Sequence, residues 1–224
     1  MRILLAVHQF FPHFRAGTET LTRRTAEELQ RRGHQVWVLA AQPHQPDQPR
    51  LRHECWEQLE VIRFNPEPER HPLAGGMAAS YQCPGSQQLF TALLAELQPD
   101  LLHAFHLRRH TLSLVDAARA MAVPVVASLT DYWLGCPTGQ LQFPDQLPCA
   151  GPHADGANCL QHLSSRLLPG QRGLPLPLAR ALMRLARRIP WLGTLRALGD
   201  RPAATAAALA SCQAVLVPTA LMRN

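Results

Sequence analysis

Six short runs of aliphatic and β-branched residues, spaced among segments of helical periodicity, constrain this chain more than any single motif does. The runs are Arg2 to His8, Gln35 to Ala40, Leu59 to Phe64, Leu101 to His106, Val123 to Leu129 and Ala214 to Val217. Continuous apolar runs of this length read as strands buried on both faces, the mark of a parallel sheet. Helical spacing lies between them: Leu21, Ala26 and Leu29 within Thr18 to Arg32, then Leu89, Leu93, Leu94 and Leu97 within Gln87 to Leu97, then Leu112 to Ala122. Gly33 after Arg31-Arg32 stops the first helix, with both arginines facing the negative end of its dipole. The order predicts an α/β fold in which residues 1–224 form a single Rossmann-like, doubly wound parallel sheet. Residues 41–58, rich in Pro, Gln, His and Arg, are expected to wander over the surface, and 65–86 is again rich in Pro and Gly.

After the Val123 strand the pattern breaks at Thr130-Asp131. A long loop insertion, about residues 130–165, carries Cys136, Cys149, Cys159 and His162 within twenty-seven residues. Connections in compact α/β units usually take only about 2–6 residues, so a loop this long needs a reason to be ordered. Three thiols and an imidazole, ending in a Cys-x2-His pair, are the ligand set of a closed structural zinc site. The spacings are acceptable because a metal that closes a long loop offsets its ordering entropy. His153 is a substitute ligand, and the other reading is unliganded thiols or a disulfide. Cys55, Cys83 and Cys212 stand apart and read as inert.

Charge is spread unevenly. All 22 basic residues are arginine, and the segment from Arg166 to Arg201 sets eight of them against the single acid Asp200. Within it Leu178 to Ile189 reads as a helix, with Leu178, Leu182, Leu185 and Ile189 on one side and Arg180, Arg184, Arg187 and Arg188 on the others. Pro190 ends it. This basic segment, about 166–200, could lie on an anionic membrane with Trp191 at the interface, or pack in the core with a solvated arginine face. Ala203 to Ser211 is a further, Ala-rich helix. The arginines lack the interleaved aromatics of a nucleic-acid motif, so no nucleic-acid partner is expected. Only five apolar residues follow Arg2 before His8, too few for a signal peptide, and no run reaches the roughly 20 needed to span a bilayer. The expected location is cytoplasmic, with peripheral contact at the inner face of the membrane.

Several pieces in order resemble the N-terminal domain of GT-B fold, family 4 type retaining glycosyltransferases. They are Met1 to Val7 followed by Phe11-Pro12-His13, Ala16-Gly17-Thr18-Glu19, Leu29 to Leu39, Pro99 to His106, and Val123 to Trp133. The loop around Cys136, Cys149 and Cys159 is similar to a cysteine-bearing insertion in a subset of that family. The resemblance implies the acceptor-binding half of an enzyme that moves a sugar from a nucleotide-sugar to an acceptor hydroxyl. It also implies that the C-terminal donor-binding domain is absent from these residues, that residues 215–224 are the hinge toward it, and that the chain is a fragment inactive alone.

Site expectations follow. Gly17, Thr18 and Glu19, between a strand and a helix N-terminus, would bind the donor diphosphate, although Ala16 replaces the first glycine of the family's pair. The bland reading is a turn with Thr18 as N-cap. Acceptor binding falls to His106, His103, Thr130, Tyr132 and Trp133, just outside strand ends where open α/β sheets bind ligands. His103 has the alternative of a core histidine. Asp131 is the catalytic candidate, orienting or deprotonating the acceptor hydroxyl, because Thr130 stands where relatives commonly carry histidine. The competing readings are a capping role for Asp131 and loop-anchoring aromatics. Glycan or lipid-linked acceptors are the implied partners. The alternative function is a non-catalytic, zinc-stabilised Rossmann module that binds a partner protein or a nucleotide.

Overall fold

The computed structural model of the protein describes residues 1–143, 147–165, 167 and 173–219. Its contacts divide into two compact units, the first comprising residues 1–69, 81–130 and 208 onward, the second residues 70–80 and 131–207. In chain order the elements are β1 (Arg2–Val7), α1 (Gly17–Arg31), β2 (Gln35–Ala41), β3 (Leu51–Trp56), β4 (Leu59–Phe64), α2 (Met77–Tyr81), α3 (Pro84–Leu97), β5 (Leu101–Ala104), α4 (Ser113–Ala120) and β6 (Val125–Ser128). Helices α5 (Ala157–Ser165), α6 (Leu176–Ala186) and α7 (Gly193–Ala210) and strand β7 (Ala214–Leu216) complete the set.

The first unit holds a seven-stranded sheet ordered β3-β4-β2-β1-β5-β6-β7. Six strands are parallel, in the doubly wound order expected of a Rossmann-like fold, and β3 pairs antiparallel with β4. Central β1 runs Ile3↔Val36 on one side and Ile3↔Leu101 on the other. Every residue of β1 after Arg2 is buried, which is why its sequence is apolar without alternation. One core joins Leu5, Val7, Val38, Ala40, Val61 and Phe105 to Ala26 of α1, with Leu29 packed against it.

Three expectations are corrected. Residues 41–58 are not all surface loop, since β3 lies among them. As an edge strand it packs against only one neighbour, so its residues stay polar and give no apolar run. Strand β7 is exposed rather than buried, with Val215 at 40% and Leu216 at 51% exposure. It too closes an edge of the sheet. The α1 face that packs inward is Glu19, Thr22 and Ala26, while Leu21 points out at 46% exposure. The Pro- and Gly-rich residues 65–86 include α2 and a short 3₁₀ turn, Pro72–Ala74.

The β1–α1 loop is shaped by an arginine. Arg63 of β4, 6% exposed, donates through Nε to Glu54 Oε1 at 2.7 Å and through Nη2 to the carbonyl of Phe11. Phe11 stacks on Trp56 with ring centroids 4.9 Å apart, and Arg23 lies 4.9 Å above the Trp56 ring.

In the second unit α6 buries Ala179, Met183 and Ala186. Of the expected apolar stripe, Leu178 and Leu185 are exposed and Leu182 and Ile189 half-buried. The helix offers two stripes, and the buried one carries two alanines, which allow closer approach. Helix α7 begins ten residues earlier than expected because Gly193, Gly199 and Pro202 conceal it as poor helix formers. Gly199 has a packing reason, since a Cβ there would lie 3.3 Å from the Asp155 carbonyl. Part of the expected basic segment, residues 166 and 168–172, lies outside the described residues, as do residues 220–224 of the expected hinge. Among the described residues no helix is long and apolar enough to cross a membrane.

Replacing Arg63 by alanine leaves the buried Phe11 carbonyl without this donor and the half-buried Glu54 carboxylate with Arg52 as its remaining ion-pair partner, and is expected to cost about 1–3 kcal/mol of stability. Urea unfolding of Arg63→Ala against the parent measures it; a loss below about 0.5 kcal/mol, the range of ordinary surface substitutions, contradicts the assignment.

Candidate functional site

In the first unit, polar side chains gather just past the C-terminal ends of β1 and β5, where ligands of open α/β sheets bind. His8 follows β1 and His106 lies two residues past β5. Their rings are 4.1 Å apart, and His8 Nε2 stands 3.6 Å from Glu19 Oε1. Glu19 is fully buried in the first turn of α1. A buried carboxylate there is stabilised by the positive end of the helix dipole and by the neighbouring imidazole.

Helix α1 starts at Gly17, not at Thr18. Ala16 occupies the N-cap position and supplies no side-chain bond, so first-turn amides are left for water or a ligand. Gly17 is exposed, and a Cβ added to it would meet nothing within 4 Å. Thr18 is in the helix, its carbonyl accepting from Thr22 Oγ1 at 2.8 Å. Glu19 faces inward to His8, so of the three expected phosphate-binding residues it holds the site from behind.

His106 is 8% exposed and its Nδ1 accepts from the Arg108 amide at 3.0 Å. That bond needs the Nδ1 lone pair, so the neutral ring carries its proton on Nε2. Arg109 ties the edge together, donating to the His8 carbonyl at 3.2 Å and to Glu69 Oε1 at 2.9 Å. Burial lowers the Arg109 pKa from its ordinary value and Glu69 opposes the shift. Arg109 and Thr111 both take positive φ, 70° and 61°, conformations that non-glycine residues hold only when the surroundings impose them. His8, Glu69 and Arg109 were not foreseen. The position of His8 directly after the first strand was the available signal; nothing local marks Glu69 or Arg109.

His103 sits within β5, and its Nε2 is 2.8 Å from Ser128 Oγ of β6. Its ring stacks on Phe105 at 4.2 Å, and burial pushes its pKa down to about 4. That environment is a packed one, not an open cleft. His110 is fully buried against Phe64 and Phe90, and burial takes its pKa down to about 3. Thr130 donates from Oγ1 to the Phe105 carbonyl at 3.1 Å.

The second unit begins with Asp131, exposed, whose Oδ1 accepts from the Trp133 amide at 2.8 Å. This is an Asx turn, so Asp131 caps its own loop. Tyr132 is half-buried. Trp133 is buried at 8% exposure beneath the Arg201 guanidinium, 5.1 Å from its ring. Arg201, 1% exposed, donates to the carbonyls of Trp133 and Leu134. Trp133 therefore anchors the loop.

Cys136, Cys149, Cys159 and His162 all line one small cavity in this unit. Burial raises the Cys136 pKa, but the Thr138 hydroxyl and the amides of Leu141, Thr138 and Gln140 outweigh it, for a net lowering. Burial and the neighbouring thiols Cys136 and Cys149 push Cys159 up to about 12. His153 is exposed and does not line the cavity. Among the described residues no group of three or more His, Cys, Asp or Glu side chains already stands at metal-ligand spacing.

Sheet order and ligand edge together define a Rossmann-like domain. The profile of Glycosyltransferase Family 4 matches residues 15–224, and the chain belongs to that family. Among solved structures it is similar to sucrose-phosphate synthase from Thermosynechococcus elongatus, at 16% identity over 59% of this chain and 33% of that one, with a TM-score of 0.40. A trehalose-phosphate synthase from Burkholderia xenovorans matches at 14% identity over 58% and 34%, TM-score 0.36. The Bordetella bronchiseptica enzyme WbmG matches at 14% over 97% and 52%, TM-score 0.40. The chain thus spans about a third of the synthases and half of WbmG. No curated protein sequence matches it.

His103 and His110 are held neutral in the fold but protonate once unfolded. Their contribution to stability is fully present above the ordinary histidine pKa of 6.5 and is lost as pH falls through about 4 for His103 and about 3 for His110. Imidazole NMR at about pH 5 should show both rings neutral, where an ordinary histidine is charged; protonated-ring shifts for either would contradict the burial argument.

Proposed function

We propose that this glycosyltransferase module is the acceptor-side half of an enzyme that moves a sugar from a nucleotide-sugar to an acceptor hydroxyl. The observation that carries the reading is the uncapped N-terminus of α1, open at Gly17 and backed by the Glu19–His8–His106 group at the strand edge. Amides of Gly17 and Thr18 would take the donor diphosphate. His106 Nε2–H would donate to the acceptor or the leaving phosphate. In this reading Thr130, His103 and Trp133 position their neighbours. Most of the nucleotide-sugar would be held by a donor-binding domain.

The isolated chain, incubated with nucleotide-sugars and candidate glycan or lipid-linked acceptors, is expected to transfer no sugar. Joined to a family donor-binding domain it should transfer, and His106→Ala should then lower kcat by about 10²–10⁴-fold. Transfer by the chain alone at the rate of an intact homologue overturns the proposal, and binding of a protein partner with no sugar transfer in any arrangement would favour a non-catalytic module.

A second feature favours a lipid-linked acceptor reached from an anionic membrane surface. Leu178 and Leu185 on α6, with Trp191 at 80% exposure, form an outward apolar set flanked by the exposed Arg180, Arg184 and Arg188. Such a helix lies in the interface plane, its arginines meeting anionic headgroups. Sedimentation with vesicles containing phosphatidylserine should be salt-sensitive and should weaken in Leu185→Glu. Equal sedimentation with neutral vesicles, or none, counts against membrane contact.

A further inference from the structure

The second unit builds a four-donor pocket from three separate pieces of chain. The turn from Cys136 to Leu141 is the first, closed by the Gly139 amide on the Cys136 carbonyl at 2.9 Å, with Gly139 at φ 77°. The chain returns antiparallel through the Gln142↔Pro148 bridge, and the Cys149 amide bonds to the Leu141 carbonyl at 2.7 Å. That return sets the second sulfur beside the first turn. The third piece is α5, where Cys159 and His162, three residues apart, share one face.

Asn158 stitches the helix to the loop. Its Oδ1 accepts from the His153 amide at 2.9 Å, and its Nδ2 donates to the Gly151 carbonyl at 2.9 Å and toward Cys149 Sγ at 3.6 Å. It is 1% exposed, a buried amide whose bonds serve to bring Cys149 to the start of α5. The Thr138 hydroxyl lies 3.2 Å from Cys136 Sγ. Polar hydrogens turned toward sulfur are what a charged, metal-bound thiolate needs from its surroundings.

We propose that this cavity binds one zinc-type divalent ion through the sulfurs of Cys136, Cys149 and Cys159 and a ring nitrogen of His162, as a closed structural site. Four protein donors leave no open coordination position, so the ion holds the fold and performs no chemistry. The cavity they line has room for about one water-sized particle. Since no three of the donors stand at ligand spacing among the described residues, binding draws them inward onto the ion. The loop from Asp131 to His153 has the isolated Gln142↔Pro148 bridge as its described strand pairing, and a shared ion supplies the cross-link that so little regular structure does not.

The test uses the full 224-residue chain. Purified without chelator, it should carry about one zinc per chain by elemental analysis. The stripped chain titrated with Co²⁺ should develop thiolate charge-transfer and tetrahedral d–d absorption that saturates at one equivalent. Cys159→Ser should abolish these bands, while His162→Cys and Cys55→Ser should keep them. Should Cys159→Ser fail to fold, the cobalt titration of the parent chain decides by itself. Absence of the bands, or mass-spectrometric detection of a disulfide between two of the three loop cysteines in protein purified under reducing conditions, overturns the proposal.

Discussion

A parallel sheet covered on both faces dictates where chemistry can occur in this protein. With Leu4, Leu5, Ala6 and Val7 of β1 wholly buried, the sheet interior offers no polar group to a ligand, and a backbone paired on both sides has none to spare. What remains are the strand ends. There the chain leaves β1 and β5, and His8, His106 and Arg109 appear within a few residues of the last ladder bond. The fold and the candidate site are thus one consequence of the same burial.

Each unit then uses an arginine as an internal staple for loops that have no ladder of their own. Arg63 serves the Phe10–Phe11 loop and Arg201 serves Trp133–Leu134, in both cases by donating to carbonyls and lying at very low exposure. A guanidinium suits this task because its five donors lie in a fixed fork and its weak hydration lowers the cost of burial. The lack of lysine in the chain is compatible with that use: an ammonium at the same depth would lose more hydration and could not reach two carbonyls with one plane.

The sheet was legible in the sequence wherever burial is two-sided. β1, β2, β4, β5 and β6 announce themselves as apolar runs because both faces of each are covered. β3 and β7 escaped that logic from opposite directions. β3 is too polar to be recognised and β7 too apolar to be suspected of exposure, since edge strands are defined by neighbours that local composition does not contain. The same reason applies to α6, where two stripes of similar hydrophobicity compete and the one carrying two alanines is buried. At the site, residues at strand ends were foreseeable, but Glu69 and Arg109 act through contacts forty residues apart in sequence. The four donors of the cysteine loop were recognisable by chemistry, and their convergence on one cavity follows from a bridge and an asparagine that no spacing rule names.

These placements bear on which side chain can handle a proton at the strand edge. The threonine at 130 commits its hydroxyl hydrogen to the Phe105 carbonyl, which makes it a brace between the ends of β5 and β6. Asp131 accepts from the Trp133 amide, so part of its acceptor capacity serves its own turn. His103 is held neutral within the sheet. The His106 imidazole has its Nδ1 fixed by the Arg108 amide and its ring against His8, which sets the tautomer of the neutral ring. Glu19, fully buried 3.6 Å behind His8, backs the other ring of the pair, so the orientation of both imidazoles at this edge is set from within the fold.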